Sequence, residues 1–204
     1  MYLIKLSIFI FGEYLDLTII VITGTPGTGK TYFSKRLANI INYKYVPIND
    51  IVIEEGLYSK YDKQRESYII NLRAAKKYIL SNYSKGDFVF DSHIAHLIVD
   101  KRLLKICVVL RCSPYELVRR LREKGYSDEK ILENVQAEIL DVIYNEAIAS
   151  YGKNSVIQID VTDKLDEKVL GLSSMIRKNE YSSDYVDWLT LIYRRGDIKT
   201  FFPT

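Results

Sequence analysis

The chain has little of several residue types on which particular chemistries depend. Two cysteines in 204 residues, Cys107 and Cys112, cannot build a disulfide framework. Both stand in or beside an apolar run (KICVVLRC), where they read as small buried hydrophobes suited to a reducing, cytoplasmic setting. With only two histidines, His93 and His96, a zinc centre lacks ligands. No apolar run approaches the roughly 20 residues that a membrane-spanning helix needs. The nearest is residues 2–11 (YLIKLSIFIF), broken by Lys5 and Ser7 and followed by Gly12-Glu13-Tyr14 rather than a small-residue cleavage site. Residues 1–17 are therefore expected to form an added strand or packed arm. A net charge of +3 does not announce a nucleic-acid binder, and no sequence-specific nucleic-acid motif is present. The single tryptophan, Trp188 in DYVDWLTLI, reads as a packing anchor on a C-terminal helix. No internal repeat or low-complexity linker divides the chain, and its length suits one α/β domain with its own core.

What is present is a phosphate-binding pattern in an informative place. Residues 24–31 read GTPGTGKT, satisfying G-x-x-x-x-G-K-[ST], directly after the apolar run TIIVIT at 18–23. Glycines at 24, 27 and 29 let backbone N–H groups, including that of Thr28, wrap around polyphosphate oxygens. Lys30 then reaches the β- and γ-phosphates, and the Thr31 hydroxyl ligates a bridging Mg²⁺ ion. Phe33, Leu37, Ile40 and Ile41 fall at helical spacing, so the loop opens a helix whose positive end faces the phosphates, with the Tyr32 N–H in its first turn.

Further short strands are expected at 44–48 (KYVPI), 88–90 (FVF), 105–110 (KICVVL) and 155–159 (SVIQI), with helical patterns between them. This alternation is the signature of a parallel sheet covered on both faces. Two connections exceed a minimal crossover. Residues 49–83 hold a polar, Tyr-rich segment expected to be helical through Ile69, Ile70, Leu72 and Ala75. Residues 113–150 read as a helix opened by a capping box, Ser113-Pro114-Tyr115-Glu116, a break at Gly125-Tyr126, and a second helix carrying Ile131, Leu132, Val135, Ile139, Val142 and Ile143 on one face. In a phosphate-transfer fold such insertions are where an acceptor site and a lid sit.

Asp91 ends the apolar strand FVF, where a nucleotide-binding fold places a carboxylate near Mg²⁺ or its waters, making it the second metal-side ligand beside Thr31. His93, two residues on, is placed to orient or deprotonate an attacking water or to hold Asp91; His96 reads as structural. A cationic cluster follows: Arg111 at a strand end, then Arg119, Arg120, Arg122 and Lys124 before Gly125. Positive charge delivered over a γ-phosphate by a closing lid is the functional reading for Arg120 or Lys124, with Arg111 a candidate nucleotide-binding residue, and a solvated face paired with Glu116 the plain one. Asp50, Glu54, Glu55, Tyr58, Tyr61 and Asp62 in the first insertion suit a ribose or base better than a second phosphate, for which Arg65 and Arg73 are the available cations. Lys164, after the last strand in VTDK, is placed to lie along an adenine ring.

Taken together, GTPGTGKT, the D-x-H of Asp91 and His93, RCSP at Arg111, REKGY around Lys124 and NVQAEILDVIYNEAIASY at 134–151 resemble the adenylate kinase-like ATPases of archaea and eukaryotes, over roughly residues 18–178. The resemblance implies a P-loop NTPase with a five-stranded parallel sheet, helices on both faces, a monophosphate-binding insertion at 47–71 and a short lid at 123–133. It implies hydrolysis of ATP with Mg²⁺, adenylate kinase activity interconverting ATP, ADP and AMP, and a role in small ribosomal subunit maturation with a platform ribosomal protein and the pre-ribosomal particle. Carried over by motif, Gly27, Gly29, Lys30, Thr31 and Tyr32 contact phosphates, Asp91 and His93 serve hydrolysis, Lys124 takes a lid position and Lys164 approaches the adenine. The chain departs from the family pattern at Ile53, where an arginine near the acceptor phosphate is expected, and at Lys124, a point charge in place of a bidentate arginine. Residues 1–17 and 179–204, the latter expected to be a C-terminal helix and tail, have no counterpart. A housekeeping nucleoside monophosphate kinase and a nucleotide-gated binding module remain alternative readings.

Overall fold

The computed structural model describes residues 8–10, 13–15, 17–62 and 67–203, and side chains from residue 18 onward except in 63–67. Within the expected arm, β1 (Ile8–Ile10) and β2 (Glu13–Leu15) pair antiparallel, Ile8 opposite Leu15. Residues 1–7, 11, 12 and 16 and Arg65 lie outside the described residues.

The core is a five-stranded, all-parallel sheet. Its strands are β3 (Leu17–Gly24), β4 (Lys44–Pro47), β7 (Gly86–Asp91), β8 (Leu104–Arg111) and β9 (Val156–Asp160), in the spatial order β4-β7-β3-β8-β9. Ile19, Ile20, Val21 and Ile22 are all fully buried, because β3 is central and both its faces are covered, as a continuous apolar run requires. Ile19 and Val21 face one half of the core and Ile20 and Ile22 the other. The second half is closed by α1 (Lys30–Ile41) and α8 (Leu165–Lys178), through Phe33, Leu37, Val169 and Leu172. The first is closed by α2 (Ile48–Glu54), α3 (Leu72–Asn82), α4 (Ala95–Ile98) and α7 (Val142–Tyr151). After β3 the chain fills one side of the sheet with β4 and β7, then crosses to β8 and β9. The carboxyl end of β3 is thus a topological switch point, where ligands bind in open α/β sheets.

A third apolar cluster sits beside that edge. It joins Leu117 and Leu121 of α5 (Pro114–Glu123), Ile131, Val135 and Ile139 of α6 (Asp128–Ile139), Trp188 and Ile192 of α9 (Trp188–Arg194) and Phe201 of α10 (Ile198–Phe201). Trp188 is the packing anchor expected from its surroundings, and residues 179–204 contain two short helices where one was expected. No helix among the described residues is long and apolar enough to cross a membrane.

The structure departs from the sequence expectations in three further places. The Tyr-rich part of the first insertion is a hairpin, β5 (Tyr58–Asp62) with β6 (Ser67–Ile70), not helix; the Tyr68 ring meets that of Tyr58 tilted and that of Tyr61 edge-on, at centroid distances of 4.5 and 5.0 Å. Such cross-strand aromatic pairs stabilise a hairpin register. The helix expected to run through Ile143 breaks at Asp141, whose φ is 56°. Left of the break Ile139 faces the third cluster, while Ala147 and Tyr151 beyond it face the first, so one straight helix cannot serve both. Aspartate tolerates this conformation better than most residues, and here Arg111 holds its carboxylate. The capping box at Ser113 does not form: the Ser113 side chain makes no cap, its N–H donates to Thr162 Oγ1 at 2.8 Å, and Glu116 is taken by Arg119 and Arg120.

Tyr151 pins α7 beneath the sheet, its buried hydroxyl donating to Val99 O at 3.1 Å. Tyr151→Phe keeps the ring and removes that bond, so it is expected to cost about 1 kcal/mol. Thermal unfolding should show a midpoint lowered by about 2–4 °C.

Candidate functional site

The loop between β3 and α1 has the backbone that its glycines permit. Gly24, Gly27 and Gly29 have φ of 141, 93 and 96°. At Gly24 a Cβ would lie 2.4 Å from the Leu110 carbonyl oxygen of neighbouring β8, so the close strand approach itself excludes a side chain. At Gly27 it would meet the Leu117 side chain at 2.8 Å, which seats the loop on the third cluster.

Three donors converge on the Thr25 carbonyl: Lys30 Nζ at 3.0 Å, Thr28 Oγ1 at 2.9 Å and Thr28 N at 3.3 Å. The loop thus holds the lysine ammonium in place by its own backbone. Burial lowers the Lys30 pKa to about 8; the nearby Asp91 carboxylate opposes this and Lys124 adds to it. Thr31 Oγ1 donates to Asp91 Oδ2 at 2.9 Å, across the β3–β7 pairing that sets Ile22 opposite Asp91. Tyr45 of β4 donates to the same oxygen at 3.0 Å. The Tyr45 phenol titrates well above its usual range through burial and then the Asp91 charge, so it stays a donor.

Lys30, Thr31, Asp91, His93 and Lys124 line one cavity of about 370 Å³, together with Tyr32, Asn49 and Tyr126. His93 is held neutral, its pKa lowered to about 4 by burial and then by the Lys30 charge. Lys124 ends α5, and Gly125 behind it has φ of 77°. On the other flank of Tyr32 lies a second recess of about 360 Å³, lined by Lys164, Leu165, Asp166 and Glu167. The Tyr32 hydroxyl donates to Asp166 there at 2.9 Å, and Leu165 lies 3.6 Å from where a Gly29 Cβ would be. Lys164 is exposed, with its Nζ 3.5 Å from Glu167. His96 is fully buried away from the cavity mouth, with Thr23 Oγ1 at 3.2 Å and Glu146 at 3.1 Å, in the structural role expected of it.

Two sequence-derived site residues are corrected. Arg111 is 1% exposed and does not reach either recess. Its guanidinium donates to Glu138 Oε1 at 2.7 Å, Gln158 Oε1 at 2.7 Å, the Glu138 carbonyl at 2.9 Å and Asp141. With four donors engaged inside the protein, it is a structural cation, not a phosphate ligand. Arg120 does not lie over the cavity either. It donates to Glu116, to Thr28 O at 3.2 Å and to the Val161 and Thr162 carbonyls at 2.9 and 2.8 Å, strapping the back of the loop to the end of β9. Lys30 and Lys124 are the lysines of the cavity wall, which no arginine of the described residues lines.

Sequence reasoning missed four residues. Tyr45 comes from β4 and Asn49 from α2 at the start of the first insertion, Tyr126 follows Gly125, and the Glu138 carboxylate accepts four hydrogen bonds beneath the loop. Glu138 lies within the run NVQAEIL, which marked the resemblance without giving that residue a role.

A protein-family model described as an AAA domain matches residues 20–141, more than half of the chain. A protein of Saccharolobus islandicus described as "Putative adenylate kinase" is 39% identical over 152 residues, 74% of this chain and 79% of its own. The same description belongs to a Methanocaldococcus jannaschii protein, 35% identical over 181 residues, 84% of this chain and 97% of its own. Among solved structures, a shikimate kinase from Bacteroides thetaiotaomicron superposes with a TM-score of 0.49 at 18% identity, covering 78% of this chain and 98% of that one. The match to the family model spans the phosphate loop, the β7 carboxylate and the α5–α6 segment alike, and the chain belongs to the adenylate kinase-like AAA-domain family that these archaeal relatives represent.

Proposed function

We propose that the chain binds Mg-ATP and hydrolyses it, with phosphoryl transfer to AMP as a weaker second activity, in the service of small ribosomal subunit maturation. The observation that carries the nucleotide reading is the convergence of Lys30, Thr31, Asp91, His93 and Lys124 on one cavity at the switch point of the sheet. Thr31 Oγ1 and the Asp91 carboxylate, 2.9 Å apart, are the hard oxygen donors that suit Mg²⁺, an ion that usually takes one or two protein ligands and completes its shell with water and phosphate. That ion, when bound, neutralises charge on the β- and γ-phosphate oxygens. The loop N–H groups and Lys30 hold the same oxygens, Lys124 adds positive charge from the lid side, and neutral His93 has a ring nitrogen able to accept a hydrogen bond from an attacking water. The adenine ring would lie in the recess of Tyr32, Lys164 and Leu165.

Hydrolysis is placed ahead of transfer because the acceptor side is poor in cations. Ile53 is 47% exposed on α2, at the position where the resemblance implies an arginine near the acceptor phosphate, and α2 carries the acidic Asp50 and Glu54 and no cation. The ribosomal role rests on the resemblance of the motifs alone.

The test measures ADP release from ATP with and without AMP. Turnover without AMP is expected, with His93→Ala lowering it by about 10²-fold or more at little change in KM. Turnover that requires AMP and survives His93→Ala would replace this reading with that of a monophosphate kinase. Pull-down from extract with and without ATP, followed by identification of bound protein and RNA, tests the ribosomal role.

A further inference from the structure

We infer that Glu138 is a positioning residue for the phosphate loop and that, through it, nucleotide occupancy is coupled to the C-terminal segment at Trp188. The inference rests on the nucleotide-binding reading of the same loop. Glu138 is 2% exposed, and its two carboxylate oxygens are divided between two jobs. Oε2 accepts from Thr25 Oγ1 at 2.5 Å. Oε1 accepts from Arg111 Nε at 2.7 Å, Cys112 N at 3.1 Å and Trp188 Nε1 at 3.1 Å. Neutralising Arg111 needs only the second set. The bond to Thr25 instead fixes the one loop residue whose carbonyl carries Lys30.

The coupling follows from what Lys30 does when the loop fills. Its ammonium turns from Thr25 O to the β- and γ-phosphate oxygens. Thr25 O then loses one of its three donors, while the Thr25 side chain stays tied to Glu138. A shift of Thr25 is therefore transmitted to the carboxylate and from there to the indole N–H. Trp188 is not loosely attached at the far end. Its segment packs on α5 and α6, and Tyr115 OH to Asp197 at 2.6 Å and Gln136 Nε2 to Phe201 O at 2.8 Å fasten it further. These are the helices that flank Lys124 and Gly125, so hydrogen bonds through Glu138 join the loop to the C-terminal segment, and packing on α5 and α6 joins that segment to the lid base.

Because Trp188 is the only tryptophan, its emission reports this contact directly. Calorimetry and tryptophan fluorescence are run in parallel on the full chain, titrated with Mg-ADP. In the wild-type protein the emission should change and saturate at the same Kd as the binding heat. Thr25→Val keeps the β-branched shape and removes the hydroxyl. It should bind Mg-ADP about tenfold more weakly, the equivalent of one lost buried hydrogen bond, and its emission should no longer respond. By linkage, Trp188→Phe, which keeps an aromatic ring and removes the N–H, should weaken Mg-ADP binding several-fold. Binding heat with flat Trp188 emission in the wild-type protein, or a full-amplitude response in Thr25→Val, overturns the coupling alone. Absence of binding heat in the wild-type protein overturns the nucleotide reading, and the coupling with it.

Discussion

Lys30→Met is expected to lower kcat/KM for ATP by about 10²–10³-fold, the loss typical of removing one preorganised donor from a site of developing negative charge. Methionine keeps an unbranched stem and removes only the ammonium. Two lysines line the cavity, and Lys124 sits on the exposed end of α5, so it cannot stand in for a charge held against the loop backbone. Lys30→Arg should not restore activity, because a wide planar fork replaces a compact charge seated on the Thr25 carbonyl. Folding should survive the change, and pH provides the check. The Lys30 pKa is lowered from 10.5 to about 8. Between these values the unfolded chain holds a proton that the folded one has lost, so this group makes the folded state more stable as pH rises from about 8 to 10.5. Stability curves of the wild-type protein should contain that rise, and those of Lys30→Met should lack it. Wild-type turnover in Lys30→Met would remove the loop from the mechanism.

Much of this site is legible in the sequence because its geometry is local. The run TIIVIT, the glycines and Lys30-Thr31 lie within fourteen residues of chain, and each is constrained by its neighbours: a strand buried on both faces, a loop of positive φ, a helix start. Asp91 and His93 were readable for a similar reason, since a carboxylate ending an apolar strand next to β3 falls at the same edge of the sheet. What is not legible is the direction in which a long polar side chain points. Arg111, Arg120 and Lys124 form one cationic cluster in sequence, yet one is buried beneath the sheet edge, one straps the loop from behind and one lines the cavity. Glu116, four residues before Arg120, was a visible partner. The Thr28, Val161 and Thr162 carbonyls come from remote parts of the chain and were not.

Glu138 is the sharper case. Along α6 it is one more acidic residue beside the apolar positions Ile131, Val135 and Ile139. Its partners stand 113, 27, 26 and 50 residues away. No periodicity encodes that convergence. The hairpin at Tyr58 and Tyr68 failed to appear for a related reason: short polar-aromatic runs fit either period, and the ring contact that decides between them is made across the turn.

Arg111→Met should be among the most destabilising single substitutions outside the phosphate loop, and the reason is the carboxylate it leaves behind. Surface pairs such as Arg119 with Glu116 are solvent-screened, and Arg119→Met is expected to melt within error of the wild-type protein. Arg111 and Glu138 are both almost fully buried, so removing the cation strands a charge in the interior, at a cost of about 3–5 kcal/mol. For a chain of this length that lowers the melting midpoint by about 10 °C. The loss of the bond to Gln158 Oε1 adds to it, since that oxygen loses its donor, whereas the Glu138 carbonyl keeps the Asp141 N–H and the Asp141 carboxylate meets solvent. Two further measurements separate stranded charge from lost packing. Adding Glu138→Gln to Arg111→Met removes the charge while keeping an amide oxygen to accept from Cys112 N and Trp188 Nε1, so the double variant should be more stable than the single one. A buried carboxylate without its cation is also held above the ordinary carboxylate range. Its folded pKa then exceeds its unfolded one, so protonation favours the folded state, and the deficit of Arg111→Met against the wild-type protein should narrow as pH falls toward about 5. A deficit that stays constant with pH and deepens in the double variant would assign Arg111 to packing alone.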